Sequence, residues 1–147
     1  MSRKKRLMAG AASVLAGIAA QFILGFLTEW WVSLTGLGAP PAVELPGDLA
    51  GWIKKAALLA VLVPLAEEWF FRGFLYGKLK ELIGPIWAGA AVTVLFTAAH
   101  RSMSGLPAYL IFGLCAWRIR EKTGLVRFCV LFHGAYNACA LAAAALL

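Results

Sequence analysis

The sequence predicts an all-α polytopic transmembrane helix bundle of about five spans, and three observations predict it. Hydrophobic residues make up 62% of the 147 residues, and charged residues only 14%, where an ordinary soluble domain carries about 25%. Mean hydropathy is +0.81. A small soluble domain has too high a ratio of surface to volume to cover itself with so few charges. The charges are also clustered between apolar runs, and five helices of about 20 residues each would occupy roughly 100 residues of the chain. This composition excludes a soluble enzyme, a nucleic-acid-binding domain and a disordered chain. The net charge of +7 therefore reads as a set of topology markers under the positive-inside rule, with no nucleic-acid partner.

The elements follow in order. Arg3, Lys4, Lys5 and Arg6 form a basic head, and Leu7 to Leu27 then run without a charge. That run exceeds the apolar core of a signal peptide, so it predicts a first transmembrane helix with its N-terminus in the cytoplasm. Residues 28–52 form a connector rich in Gly and Pro, with Glu29, Glu44 and Asp48 as its charges; such residues break regular structure. Trp30, Trp31 and Trp52 suit the membrane interface. A second helix is predicted over about 49–82, ended by Gly84-Pro85, and a third over 85–100. A polar turn at 101–105 leads to a fourth helix over 106–120. Arg118, Arg120, Lys122 and Arg127 surround a turn at Thr123-Gly124, and a fifth helix runs from 125 onward. This divides the chain into residues 1–48, a head with one span and an outer loop, and 49–147, a four-helix core. Cys115, Cys129 and Cys139 lie in apolar segments with no C-x-x-C pair, so neither disulfides nor a cysteine metal site is expected.

Ionisable residues inside a membrane helix are costly unless paired or wetted, and so mark function by default. They fall in three places. In Glu67-Glu68-Trp69-Phe70-Phe71-Arg72, Glu68 and Arg72 are four apart on one helical face and suit a bidentate ion pair. Glu67 lies about 100° around the helix, without an equally good local partner, and is free for chemistry. His100 follows Phe96 at the end of the third helix, and His133 and Asn137 share a face of the last. Each has a plainer reading, as a buried ion-pair network, an interfacial histidine or interhelical glue. At 1.5 Å per residue, Glu67, His100 and His133 lie about 16, 22 and 12 Å from the inner boundary, a spread of about 10 Å that tilt and side-chain reach must close.

E-E-x-x-x-R, F-x-x-x-H and H-x-x-x-N, in that order on successive membrane helices, resemble the CPBP family of CAAX-protease and bacteriocin-processing proteins, also called Abi. The matching residues are Glu67, Glu68, Arg72, Phe96, His100, His133 and Asn137, within about Val61 to Ala140. Members usually have more helices, so the chain resembles a minimal core with one added N-terminal span. The resemblance implies a glutamate-dependent intramembrane endopeptidase in a membrane, of prokaryotic source given the small size. Glu67 with His100 would activate water, His133 and Asn137 would hold the oxyanion, and Glu68 with Arg72 would support the site.

The implied substrate is a protein or peptide with a membrane-embedded or lipidated segment, cut near its C-terminus or close to the membrane. Prenylated CAAX tails, bacteriocin precursors and membrane sorting tails are the options. A divalent metal such as zinc is also an option, with Glu67, His100 and His133 as ligands and water in the fourth position. The H-E-x-x-H helix of common zinc peptidases is absent, and the metal-free glutamate mechanism is preferred. Two other classes compete. A non-catalytic immunity factor or scaffold of the same fold would tolerate alanine at Glu67, His100 and His133. A small proton-coupled carrier would take up protons in vesicles, and the lack of an internal repeat argues against it.

Overall fold

The computed structural model describes residues 1–40 and 43–146, and all its regular elements are helical. Helix α1 spans Arg3–Thr35. It outruns the predicted span at its C-terminal end, passing Glu29 and both tryptophans. Its stop is conformational: Gly36 takes φ 68° and returns its N–H to the Val32 carbonyl. A left-handed residue of this kind ends a helix wherever it falls, whereas the sequence boundary had been placed where charge begins.

A continuous run of helical segments follows over Leu49–Ala99, kinked once at Gly84. It contains α2 (Leu49–Ala57), α3 (Val63–Glu68) and α4 (Tyr76–Ala99), joined by two π-helical stretches, Leu58–Leu62 and Trp69–Leu75. The predicted break is present as a kink inside α4, where Gly84 has φ 79° and ψ 166°, a backbone region open almost only to glycine. Residues 76–83 and 85–99 are therefore separate rods that meet at an angle. Helix α5 (Leu106–Thr123) ends at Gly124, φ 71°, and α6 (Val126–Leu146) closes the bundle.

Among the described residues, three helical stretches are long and apolar enough to cross a membrane: Arg3–Thr35, Leu49–Ala99 and Val126–Leu146. Helix α5 carries Arg118, Arg120, Glu121 and Lys122 in its last turns. The arrangement is that of a helical membrane bundle. Large apolar side chains such as Phe26, Trp69 and Trp87 point outward, while Glu68, Arg72 and His133 are buried. A soluble protein buries charged side chains only rarely; here the surrounding medium is hydrocarbon, and polarity is drawn inward.

Helix α1 packs chiefly along α6. Its buried residues Ser13, Gly17 and Leu24 are four and seven apart, which places them on one face of the helix. A Cβ added at Gly17 would run into the Phe132 carbonyl and sit 3.0 Å from the Ala135 Cβ. Small residues permit this approach, which drives packing where no hydrophobic effect operates between helices. The centre of the bundle is aromatic, with Phe96 stacked on Phe112 at 5.6 Å and Phe112 against Phe132 at 4.9 Å.

Gly17→Val should push α1 off α6. We expect a loss of about 1–3 kcal/mol in unfolding measured in mixed micelles.

Candidate active site

The site begins with the pair that the helix itself brings together. Arg72 Nη1 donates to Glu68 Oε1 at 3.1 Å, and the two side chains are 1% and 0% exposed. Arg72 Nη2 donates to the Gly113 carbonyl on α5 at 3.3 Å. A Cβ at Gly113 would lie 2.9 Å from Thr93 Cγ2, so glycine is what allows α5 this close. The guanidinium carbon also lies 4.3 Å from the centre of the Phe96 ring, a cation–π contact that gains strength away from water. The Phe of F-x-x-x-H is therefore the floor on which Arg72 rests.

Glu68 Oε1 also meets His133 Nδ1, at 2.9 Å. A carboxylate can only accept, so Nδ1 carries a proton and the ring is held with Nε2 turned toward Glu67, 4.0 Å from its Oε2. Helices α3, α5 and α6 are thus tied together through Glu68 and Arg72. Glu67 has no such role. Its side chain is 31% exposed, and its Oε2, itself buried, has no hydrogen-bond partner among the described residues.

His100 caps the end of α4. Its Nδ1 lies 2.9 Å from the Phe96 carbonyl. That oxygen also only accepts, so Nδ1 holds the proton and Nε2 presents a lone pair. Phe96 and Tyr109 flank the ring, with centroids 4.5 and 4.1 Å away.

Asn137 Nδ2 donates to the Leu59 carbonyl at 2.8 Å, and the reason lies in the first π-helical stretch. The Val63 N–H reaches back to Leu58, and Pro64, the next residue, has no N–H to give. Asn137 supplies a donor to Leu59 in their place. Its second N–H is uncommitted among the described residues. The second π-helical stretch is similar: the Arg72 carbonyl accepts from Arg120 Nε at 3.0 Å. π-Helical turns recur at functional sites, and here two of them flank the short helix that carries Glu67 and Glu68.

One cavity of about 300 Å³ gathers Glu67, His100, His133 and Asn137 along its wall. The axial spread estimated from the sequence does not keep them apart. Glu68 and Arg72 lie behind this wall. The same cavity is lined by Tyr109, Tyr136 and Gln21, none of which the sequence reading singled out. Gln21 was findable: it and Asn137 are the chain's only carboxamide side chains, and polarity within an apolar run was the signal. Arg120 was absorbed into the topology markers, and nothing local distinguished it.

Among the described residues, no three His, Cys, Asp or Glu side chains are grouped to hold an ion. His133 and His100 each engage Nδ1, on Glu68 and on the Phe96 carbonyl, which leaves Nε2 as the open nitrogen of each ring.

Arg72→Met strands a buried carboxylate and should destabilise the bundle by about 3–5 kcal/mol. Glu68→Gln combined with Arg72→Met should lose less than the sum of the two single changes, with a coupling of about 1–3 kcal/mol in a double-mutant cycle. The Lys80–Glu121 pair, 2.7 Å apart but with Lys80 45% exposed, is a control: Lys80→Ala should leave the melting temperature unmoved.

Comparison with known proteins agrees with this architecture. Residues 50–139, more than half of the chain, match the family model for type II CAAX prenyl endopeptidase Rce1-like proteins. The match takes in both glutamates, both histidines and Asn137, and leaves out α1. Searches of curated proteins and of solved structures find no match. The chain is a membrane protein that belongs to the Rce1-like family of type II CAAX prenyl endopeptidases.

Proposed function

We propose that the chain is an intramembrane endopeptidase in which Glu67 activates water. It would hydrolyse a peptide bond near the C-terminus, or in the membrane-proximal region, of a protein or peptide with a membrane-embedded or lipidated segment. The observation that carries the reading is Glu67 itself. Among the described residues it is the one carboxylate on the cavity wall, and its inner oxygen lacks a partner there, while its neighbour Glu68 lies behind the wall with one oxygen shared between Arg72 and His133.

The chemistry follows from the committed atoms. A water held between Glu67 and the Nε2 lone pair of His100 loses a proton to the Glu67 carboxylate as its oxygen bonds to the carbonyl carbon. The carbonyl electron pair moves onto oxygen. The second N–H of Asn137, with His133 Nε2–H when that ring carries both protons, donates to this oxyanion. Donors fixed in advance within a water-poor cavity are worth a few kcal/mol each in such a step. Collapse breaks the C–N bond, and the proton on Glu67 passes to the leaving amine. No step requires a metal. Water is a reactant, so the site must be wetted, and a polar cavity inside the bundle meets that need where open hydrocarbon does not.

The alternative of a non-catalytic immunity or scaffold protein leaves an unpaired buried oxygen and two oriented imidazoles without a purpose. The reporter is a quenched fluorescent, farnesylated peptide ending in a CAAX quartet, presented in bilayer discs. Glu67→Gln should abolish its cleavage, a fall of at least about 10³-fold for loss of the base and of water positioning together. The variant should still accumulate in the membrane at the parental level. Normal cleavage by Glu67→Gln would remove Glu67 from the role.

A further inference from the structure

Helix α1 lies outside the residues matched by the family model, yet it forms part of the cavity wall. Gln21 is its contribution. The Gln21 Oε1 is buried and has no hydrogen-bond partner among the described residues, although the side chain lines the same cavity as Glu67, His133 and Asn137. Its position is fixed by its neighbours. Gly17, one turn earlier, is packed on the Phe132 backbone. Leu24, one turn later, sits in the aromatic core. The adjacent Phe22 is 65% exposed and faces outward. A buried carboxamide oxygen with nothing to accept is unfavourable, and a buried group left this way calls for an explanation. Leucine would fill the position without that cost, as it does on the rest of this helix.

We infer that Gln21 is a substrate-positioning residue, whose side-chain oxygen accepts a hydrogen bond from a backbone N–H of an extended peptide in the cavity. This rests on the hydrolytic reading above. A peptide unwound for cleavage within a bilayer exposes N–H groups that hydrocarbon cannot satisfy, so the cavity must supply acceptors. Glu67 is occupied with water, and Thr28, also on the α1 face of the cavity, gives its proton to the Leu24 carbonyl. Gln21 supplies an acceptor from the wall opposite in sequence to the catalytic helices. Helix α1 then acts as a specificity wall added to the family core.

The test uses the full chain in bilayer discs and the farnesylated CAAX reporter. Gln21→Leu should raise KM by about fivefold to tenfold, the worth of one hydrogen bond, with kcat within about twofold and a melting temperature equal to or above the parent's. A reporter series with one non-scissile amide at a time replaced by an ester removes single N–H groups. One position in that series should raise KM in the parent by the same factor and should add nothing in Gln21→Leu. An unchanged KM, an ester penalty undiminished in Gln21→Leu, or a fall in kcat together with melting temperature would overturn the inference. A photocrosslinking residue at position 21 in the Glu67→Gln background, where turnover is not needed, should capture the reporter, and one at position 22 should not; equal or no capture at 21 would also overturn it. Failure of the hydrolytic reading looks different, as Glu67→Gln cleaving like the parent whatever Gln21 does.

Discussion

The buried ion pair between Glu68 and Arg72 is the constraint on which the rest of the structure depends. Two charges without exposure in an apolar medium are costly to desolvate, and each further hydrogen bond they make offsets part of that cost. Arg72 also donates to the Gly113 carbonyl and rests on the Phe96 ring, and the Glu68 oxygen that meets Arg72 accepts from His133 as well. Each of those partners lies on a different part of the chain. Satisfying one pair therefore positions α5 and α6 against the helical run that carries it and orients the imidazole at the cavity. Adjacent glutamates separate into different tasks because a helix turns by about 100° per residue: one faces the guanidinium, the other the cavity.

The backbone around the pair contributes as well. Pro64 and the first π-helical stretch leave the Leu59 carbonyl to Asn137, and in the second stretch the Arg72 carbonyl accepts from Arg120. In a bilayer no water replaces a missing donor. Irregular backbone here serves as an attachment point between helices, and the attachments converge on the segment that carries Glu67. Asn137 thus ties α6 to the Leu59 carbonyl while its side chain also lines the cavity.

Much of this was legible in the sequence wherever the physics is local. Glu68 and Arg72 are one helical turn apart, and their pairing followed from that spacing, although one hydrogen bond joins them where two were expected, because Nη2 is taken by the Gly113 carbonyl. The break at Gly84 and the turn at Gly124 followed from glycine's access to positive φ. The membrane setting followed from the scarcity of charge. What was not legible was tertiary. The engagement of His133 by Glu68 joins residues 65 apart, and no pattern in either segment announces it. The depth count assumed an unbroken α-helix between Lys78 and Glu67, and a π-helical stretch, Trp69–Leu75, lies in that interval. Helix α1 was ended at its first charge although Gly36 is its true stop. Gln21 carries no charge and so does not stand out among ionisable residues, and the packing of Gly17 on α6 is what turns it toward the cavity.

The central claim is a division of labour between two adjacent carboxylates, one structural and one free. Unfolding temperatures of Glu67→Gln and Glu68→Gln, measured side by side in the same bilayer mimetic, test it most directly. Loss of a buried charged partner should lower the Glu68→Gln value by on the order of 10 °C, while Glu67→Gln should stay within about 2 °C of the parent. Equal falls in both variants would contradict the account, because Glu67 would then be as much a part of the scaffold as Glu68.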